Sequence, residues 1–170
     1  TTTTTTEASI DYEMKLDISY VSQHKNTNPD VIGWIFIDGT IVDYPVVQGE
    51  DNGTYINSDW TGNYSYDGCI YEDYRGKLDE GDLTLFYGHN LANGTMFSTL
   101  KQYLDAGWGE SHKYIEIASE KKRYLYEVFS VNVLYGESGA SFPYWIPSQQ
   151  TSLEITKKDF EEYVKNVKAT

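Results

Sequence analysis

Leu85-Phe86-Tyr87-Gly88-His89-Asn90, with Gly94-Thr95-Met96-Phe97 and Leu100 close behind, is the stretch whose reading decides the fold. Leu83 to His89 is a short apolar run that ends on a Gly-His-Asn turn, which reads as a buried strand presenting a histidine at its tip. Upstream, Cys69 to Tyr74 reads as a second buried strand, separated from the first by the polar turn Arg75 to Asp82. A hairpin centred near Leu78 would set Cys69 opposite Tyr87 and diagonal to His89, and diagonal neighbours stand about 7–8 Å apart. Downstream, Met96, Phe97, Leu100, Tyr103 and Leu104 recur at helical spacing and predict a helix over Thr95 to Ala106.

Further out, Trp34 to Ile37, the Asp38-Gly39 turn and the β-branched stretch Thr40 to Gln48 predict a hairpin. Pro45 lies inside the return strand, which places that strand at an edge or a bulge there. Asn28-Pro29 predicts a capped helical turn that Gly33 ends. Met14, Ile18 and Val21 predict a helix over Ile10 to Lys25. Glu50 to Tyr66 is polar and reads as an irregular surface segment. Tyr114 to Ala118 and Tyr124 to Leu134 form a second hairpin across Ser119 to Arg123. Gly136 to Ser152 is a loop, and Thr156 caps a last helix running to Lys168. The expectation is a mainly β domain with peripheral helices. Residues 1–9 form a Thr-rich tail, and 10–170 a single domain.

Bulk properties narrow the function. The 170 residues are 39% hydrophobic and 15% aromatic, enough for a core despite a net charge of -13. That charge argues against nucleic acid as a partner. No run approaches the roughly 20 apolar residues that span a bilayer. A start on Thr1 to Thr6 rather than Met reads as a processed or excised piece. One cysteine and three dispersed histidines make neither an intrachain disulfide nor a zinc pattern, and no cofactor is expected.

Five segments in order and spacing resemble class B sortases. They are Asn28-Pro29-Asp30-Val31-Ile32-Gly33-Trp34-Ile35, then Asp43-Tyr44-Pro45-Val46-Val47-Gln48-Gly49 with Asp51-Asn52, then Gly68-Cys69-Ile70-Tyr71-Glu72-Asp73-Tyr74-Arg75, and the two segments quoted first. The resemblance implies a sortase-type β-barrel, with His89 at the end of a central strand. It also implies a transpeptidase on the outer face of a Gram-positive plasma membrane or in the cell wall, held by an anchor outside this chain. Such an enzyme attacks a sorting-signal peptide with a cysteine and passes the acyl group to an amine of peptidoglycan or a pilin. A thiolate both attacks and leaves readily, a histidine moves the proton, and an arginine stabilises the oxyanion.

Of that set the resemblance carries over His89 alone as catalytic. Asn52, Ile56 and Tyr144 match positions that line the peptide groove. The family's cysteine, in a Thr-Leu-Ser/Thr-Thr-Cys pattern, and its arginine follow the last helix, so the barrel is expected to lack its last strands here. Residues 1–170 alone are expected to be inactive. The His89 strand would then run along an exposed edge, or pair with another copy or with further residues. Two other readings stand beside this one: a non-catalytic sortase-like module that binds a peptide or partner, and a cysteine enzyme using Cys69. In the latter case Cys69 is a nucleophile; otherwise it is a small buried residue that makes no hydrogen bond to His89. Arg75 and Arg123 read as surface charges.

Overall fold

The computed structural model describes residues 11–133 apart from Asp82, together with Glu161 and Lys165. It is mainly β. Six strands, β1 (Val31–Phe36), β2 (Asp43–Val47), β3 (Ile70–Glu72), β4 (Phe86–Tyr87), β5 (Tyr114–Ser119) and β6 (Arg123–Glu127), make one sheet in the order β4-β3-β2-β1-β5-β6. All neighbours pair antiparallel except β2 and β3, which run parallel across the long irregular segment that joins them. Glu161 and Lys165 are helical. Tyr144, the 136–152 loop, the Thr-rich tail and the rest of the last expected helix lie outside the described residues.

Side-chain alternation along the strands divides the core in two. Trp34, Val47, Cys69, Tyr71 and Ala118 face one side with Leu16 and Val21. Ile35, Val46, Ile70 and Ile117 face the other, with Leu78, Phe86 and Phe97. Each fully buried aliphatic side chain there contributes about 1.5–3 kcal/mol relative to exposure.

Several elements depart from the sequence expectations. The first helix is short: α1 covers Ser19–Lys25, not Ile10 to Lys25. The residues before it are held out of a helix by the buried Glu116 carboxylate, which accepts from Tyr12 Oη at 2.8 Å and from the amides of Lys15 and Leu16 at 3.0 and 2.8 Å. Asn28-Pro29 makes a turn rather than a helical turn. The Asn28 side chain accepts from the Asp30 amide at 3.0 Å, and Gly33 lies within β1.

Pro45 sits in an interior strand. Its partner is Trp34 on β1, and the ladder to β3 begins only at Val46, so the missing N–H faces a side with no ladder at that position. The helix expected over Thr95 to Ala106 is a 3-10 helix, Phe97–Leu104, followed by α2 (Ala106–Ser111) with Asp105 as N-cap. β6 ends at Glu127, well before Leu134.

Candidate functional site

His89 stands two residues past β4. Among the described residues that strand lies at one edge of the sheet rather than at its centre. The loop behind His89 is closed by an Asn90–Met96 bridge and by the Phe97 amide, which donates to His89 O at 3.0 Å. Gly94 supplies a positive φ of 86°, and Met96 adopts φ 53°, a strained conformation for a bulky residue. Gly88 has a packing reason: a Cβ there would collide with Ile70 Cδ1 and come within 2.8 Å of Phe97 Cδ2. The Gly-His-Asn turn therefore lets the chain lie flat on the core while the imidazole projects beyond it.

The imidazole lines a cavity of about 300 Å³ together with Ile56, Cys69, Tyr71, Tyr87 and Phe97. Nδ1 of His89 is buried and has no hydrogen-bond partner among the described residues. Ile56 is 41% exposed, so it offers an apolar surface at the cavity instead of packing in the core. A histidine beside a largely apolar recess can deliver and accept a proton at a group bound there.

Strand register corrects the position of Cys69. Tyr71 pairs with Tyr87 and Glu72 with Phe86. Continued by two residues, this puts Cys69 level with His89, not opposite Tyr87. The ladder itself stops at Tyr87, and Cys69 lies one residue before β3. Its Sγ donates to Tyr55 O at 4.0 Å and makes no hydrogen bond to His89. Burial, reinforced by the charge of Asp59, pushes the thiol up to about 12.

Asn52 is engaged within the protein. Its Nδ2 donates to Asp73 Oδ2 at 2.9 Å, and its Oδ1 accepts from the Tyr74 amide at 3.0 Å. It reaches the His89 cavity through Asp73, which also accepts from Tyr87 Oη at 2.9 Å. Arg75 is no surface charge, since it grips Asp73 from Nε and Nη2, each at 2.8 Å, with little of its side chain exposed. Burial acts to raise the Asp73 carboxyl, but the bonds from Arg75, Asn52 and Tyr87 outweigh it and hold the group well below the usual carboxylate range. Arg123 is exposed, as expected. Sequence reading missed Asp73, Tyr71 and Tyr87. The Asp-Tyr-Arg triplet was the available signal, because an acid and an arginine two apart at a strand's end can close a fork on each other.

A family model described as the sortase domain matches residues 35–158. Sortase B of Listeria monocytogenes is 35% identical over 144 residues, covering 83% of this chain and 54% of the relative. Sortase B of Staphylococcus aureus is 38% identical over 104 residues, covering 61% of this chain and 43% of the relative. The chain thus spans about half the length of the curated relatives it matches. Among solved structures, a Staphylococcus aureus sortase B–substrate complex superposes with TM-score 0.76 at 30% identity, over 89% of this chain and 66% of that one. Clostridium perfringens sortase B gives 0.73 at 32%, over 87% and 77%. The curled six-stranded sheet is the architecture these structures share.

Proposed function

Since this chain belongs to the sortase family, and within it to class B, we propose that it is the histidine-bearing part of a cysteine transpeptidase that cleaves sorting-signal peptides on the outer face of a bacterial membrane. One observation carries the reading: His89 projects from a strained turn into an apolar cavity, with Ile56 and the paired Tyr71 and Tyr87 on its walls. The proton relay follows from that position. A thiolate attacks the peptide carbonyl, His89 gives its proton to the departing amine, and a thioacyl bond remains. An incoming amine of peptidoglycan or a pilin then passes its proton to His89 as it displaces the thiolate.

In this reading Ile56 contacts the peptide directly and Asn52 shapes the groove through Asp73, while Tyr144, outside the described residues, is assigned to the groove by the resemblance alone. Cys69 is a poor nucleophile, because burial keeps it a thiol at neutral pH. It is the sole cysteine of residues 1–170. These residues by themselves should therefore neither cleave nor ligate a sorting peptide, whatever amine is supplied. The test is a fluorogenic sorting peptide offered to this chain and to the chain carrying its native downstream residues. The longer chain should turn over and lose activity on His89→Ala. Turnover by the short chain that disappears in Cys69→Ala would overturn the assignment, and an inert long chain would favour a peptide- or partner-binding module.

A further inference from the structure

Asp73 directly follows β3, and alternation along that strand puts its side chain on the face that carries Tyr71. Tyr71 pairs with Tyr87 on β4, and both line the His89 cavity. The Asp73 side chain is fully buried, and donors reach its carboxylate from three directions. Arg75 holds both oxygens, from its amide and Nε to Oδ1 at 3.0 and 2.8 Å and from Nη2 to Oδ2 at 2.8 Å. Asn52 Nδ2 and Tyr87 Oη both donate to Oδ2, each at 2.9 Å. A residue of the 50–57 loop and a residue of β4 therefore meet on one oxygen.

The His89 turn depends on such a hold. The β3–β4 ladder is two residues long, and Gly88, which has no side chain to anchor, separates β4 from His89. Behind His89 the Phe97 amide holds the carbonyl at 3.0 Å. Ahead of it the Tyr87 side chain is tethered twice, by its ring against Tyr71 and by its hydroxyl on Asp73. Hydrogen bonds to a charged acceptor are the strong ones, and the two-armed Arg75 grip fixes where that acceptor points. Asn52 carries the tie into the loop that bears Ile56. Its Oδ1 accepts from the Tyr74 amide at 3.0 Å, and Asp51 beside it accepts from the amides of Gly53 and Thr54 at 2.9 and 2.7 Å.

We infer that Tyr87 is a positioning residue for His89, and that the Asp73 carboxylate, fixed by Arg75, couples its hydroxyl to Asn52. The Ile56-bearing loop and the His89 turn then hold one geometry together. Asp73 and Arg75 do not line the cavity and act through Tyr87. The inference rests on the transpeptidase reading for what the imidazole does, not for how it is held. Removing Asp73 or Arg75 would strand a buried charge and endanger the fold. The hydroxyl of Tyr87 and the amide of Asn52 can each be deleted with that ion pair left in place.

The experiment is a double-mutant cycle on this chain, read at fixed pH by the NMR signals of the His89 ring. Asn52→Ala should shift those signals, and the shift should vanish in a Tyr87→Phe background, where the link is already cut. Tyr124→Phe, which removes a hydroxyl bonded to Asp79 at 2.8 Å, should leave them in place. A His89 ring indifferent to Asn52→Ala, or an Asn52→Ala shift that survives Tyr87→Phe unchanged, would overturn the coupling. In the chain carrying its native downstream residues, Tyr87→Phe should lower kcat about tenfold with KM unchanged, as displacing a proton shuttle does. A raised KM with kcat unchanged would make the hydroxyl a peptide contact and overturn its positioning role. An inert longer chain whose His89 signals still follow the cycle would remove the transpeptidase reading and leave the coupling standing.

Discussion

Cys69 and His89 share one cavity, yet proximity alone does not activate a thiol. Burial leaves almost no thiolate at neutral pH, and no hydrogen bond reaches the sulfur from the imidazole. Iodoacetamide should accordingly label folded Cys69 negligibly from pH 6 to 9 and readily in urea; fast labelling near pH 7 in the native state would contradict the burial argument. Glu72 makes a second residue-scale case. Its folded carboxyl titrates at about 7 against an ordinary 4.5, so the folded state holds the proton more tightly than the unfolded chain does. That contribution is complete below pH 4.5 and is lost as pH rises through 7, which makes stability fall across this window. The loss amounts to up to about 3 kcal/mol. Urea denaturation of Glu72→Gln should show a flatter pH profile and greater stability than the native chain at pH 8. Equal slopes in the two proteins would remove Glu72 as the cause.

At the scale of elements, β4 deserves comparison with β3. The Asp73 amide donates to Leu85 O at 2.9 Å, and Tyr71 pairs with Tyr87, so Phe86 occupies the alternate position whose backbone groups point away from β3. Among the described residues nothing pairs on that side. Phe86 N–H should therefore exchange with deuterium far faster than Tyr87 N–H, which faces β3. Equal protection of the two amides, measured by NMR, would mean that another strand covers this edge. The contrast also explains how a two-residue strand can hold the His89 turn. Tyr87 is fastened by its ring to Tyr71, with centroids 5.2 Å apart, and by its hydroxyl to Asp73.

For the whole molecule, a net charge of -13 on 170 residues sets a background of self-repulsion that folding must overcome. Local pairs such as Arg75–Asp73 relieve it only where they stand. Salt screens the remainder, with a Debye length that falls to about 8 Å at physiological ionic strength. The melting temperature should rise when sodium chloride is raised from low to near-physiological concentration; an unchanged or lower value would show that specific ion pairs outweigh the net charge.

Local pattern carried much of this protein. The strand alternations, the Asp38-Gly39 turn and the Gly88-His89-Asn90 turn are legible because each is decided by a few neighbouring residues and a period of two. The family was legible for the same reason, as ordered short segments. What the tertiary structure alone decided depends on groups distant in sequence. Residues 12–16 have a helical apolar pattern, yet the Tyr12 hydroxyl and the amides of Lys15 and Leu16 go to Glu116, about a hundred positions away. Register between β3 and β4 is two residues off the symmetric hairpin, which moves Cys69 level with His89. Asn52, Arg75 and Tyr87 are joined by the buried Asp73 carboxylate, and Glu72 is buried on the sheet's other face with no hydrogen-bond partner among the described residues. No periodicity encodes these arrangements, because a buried charge takes whichever donors the folded chain brings to it.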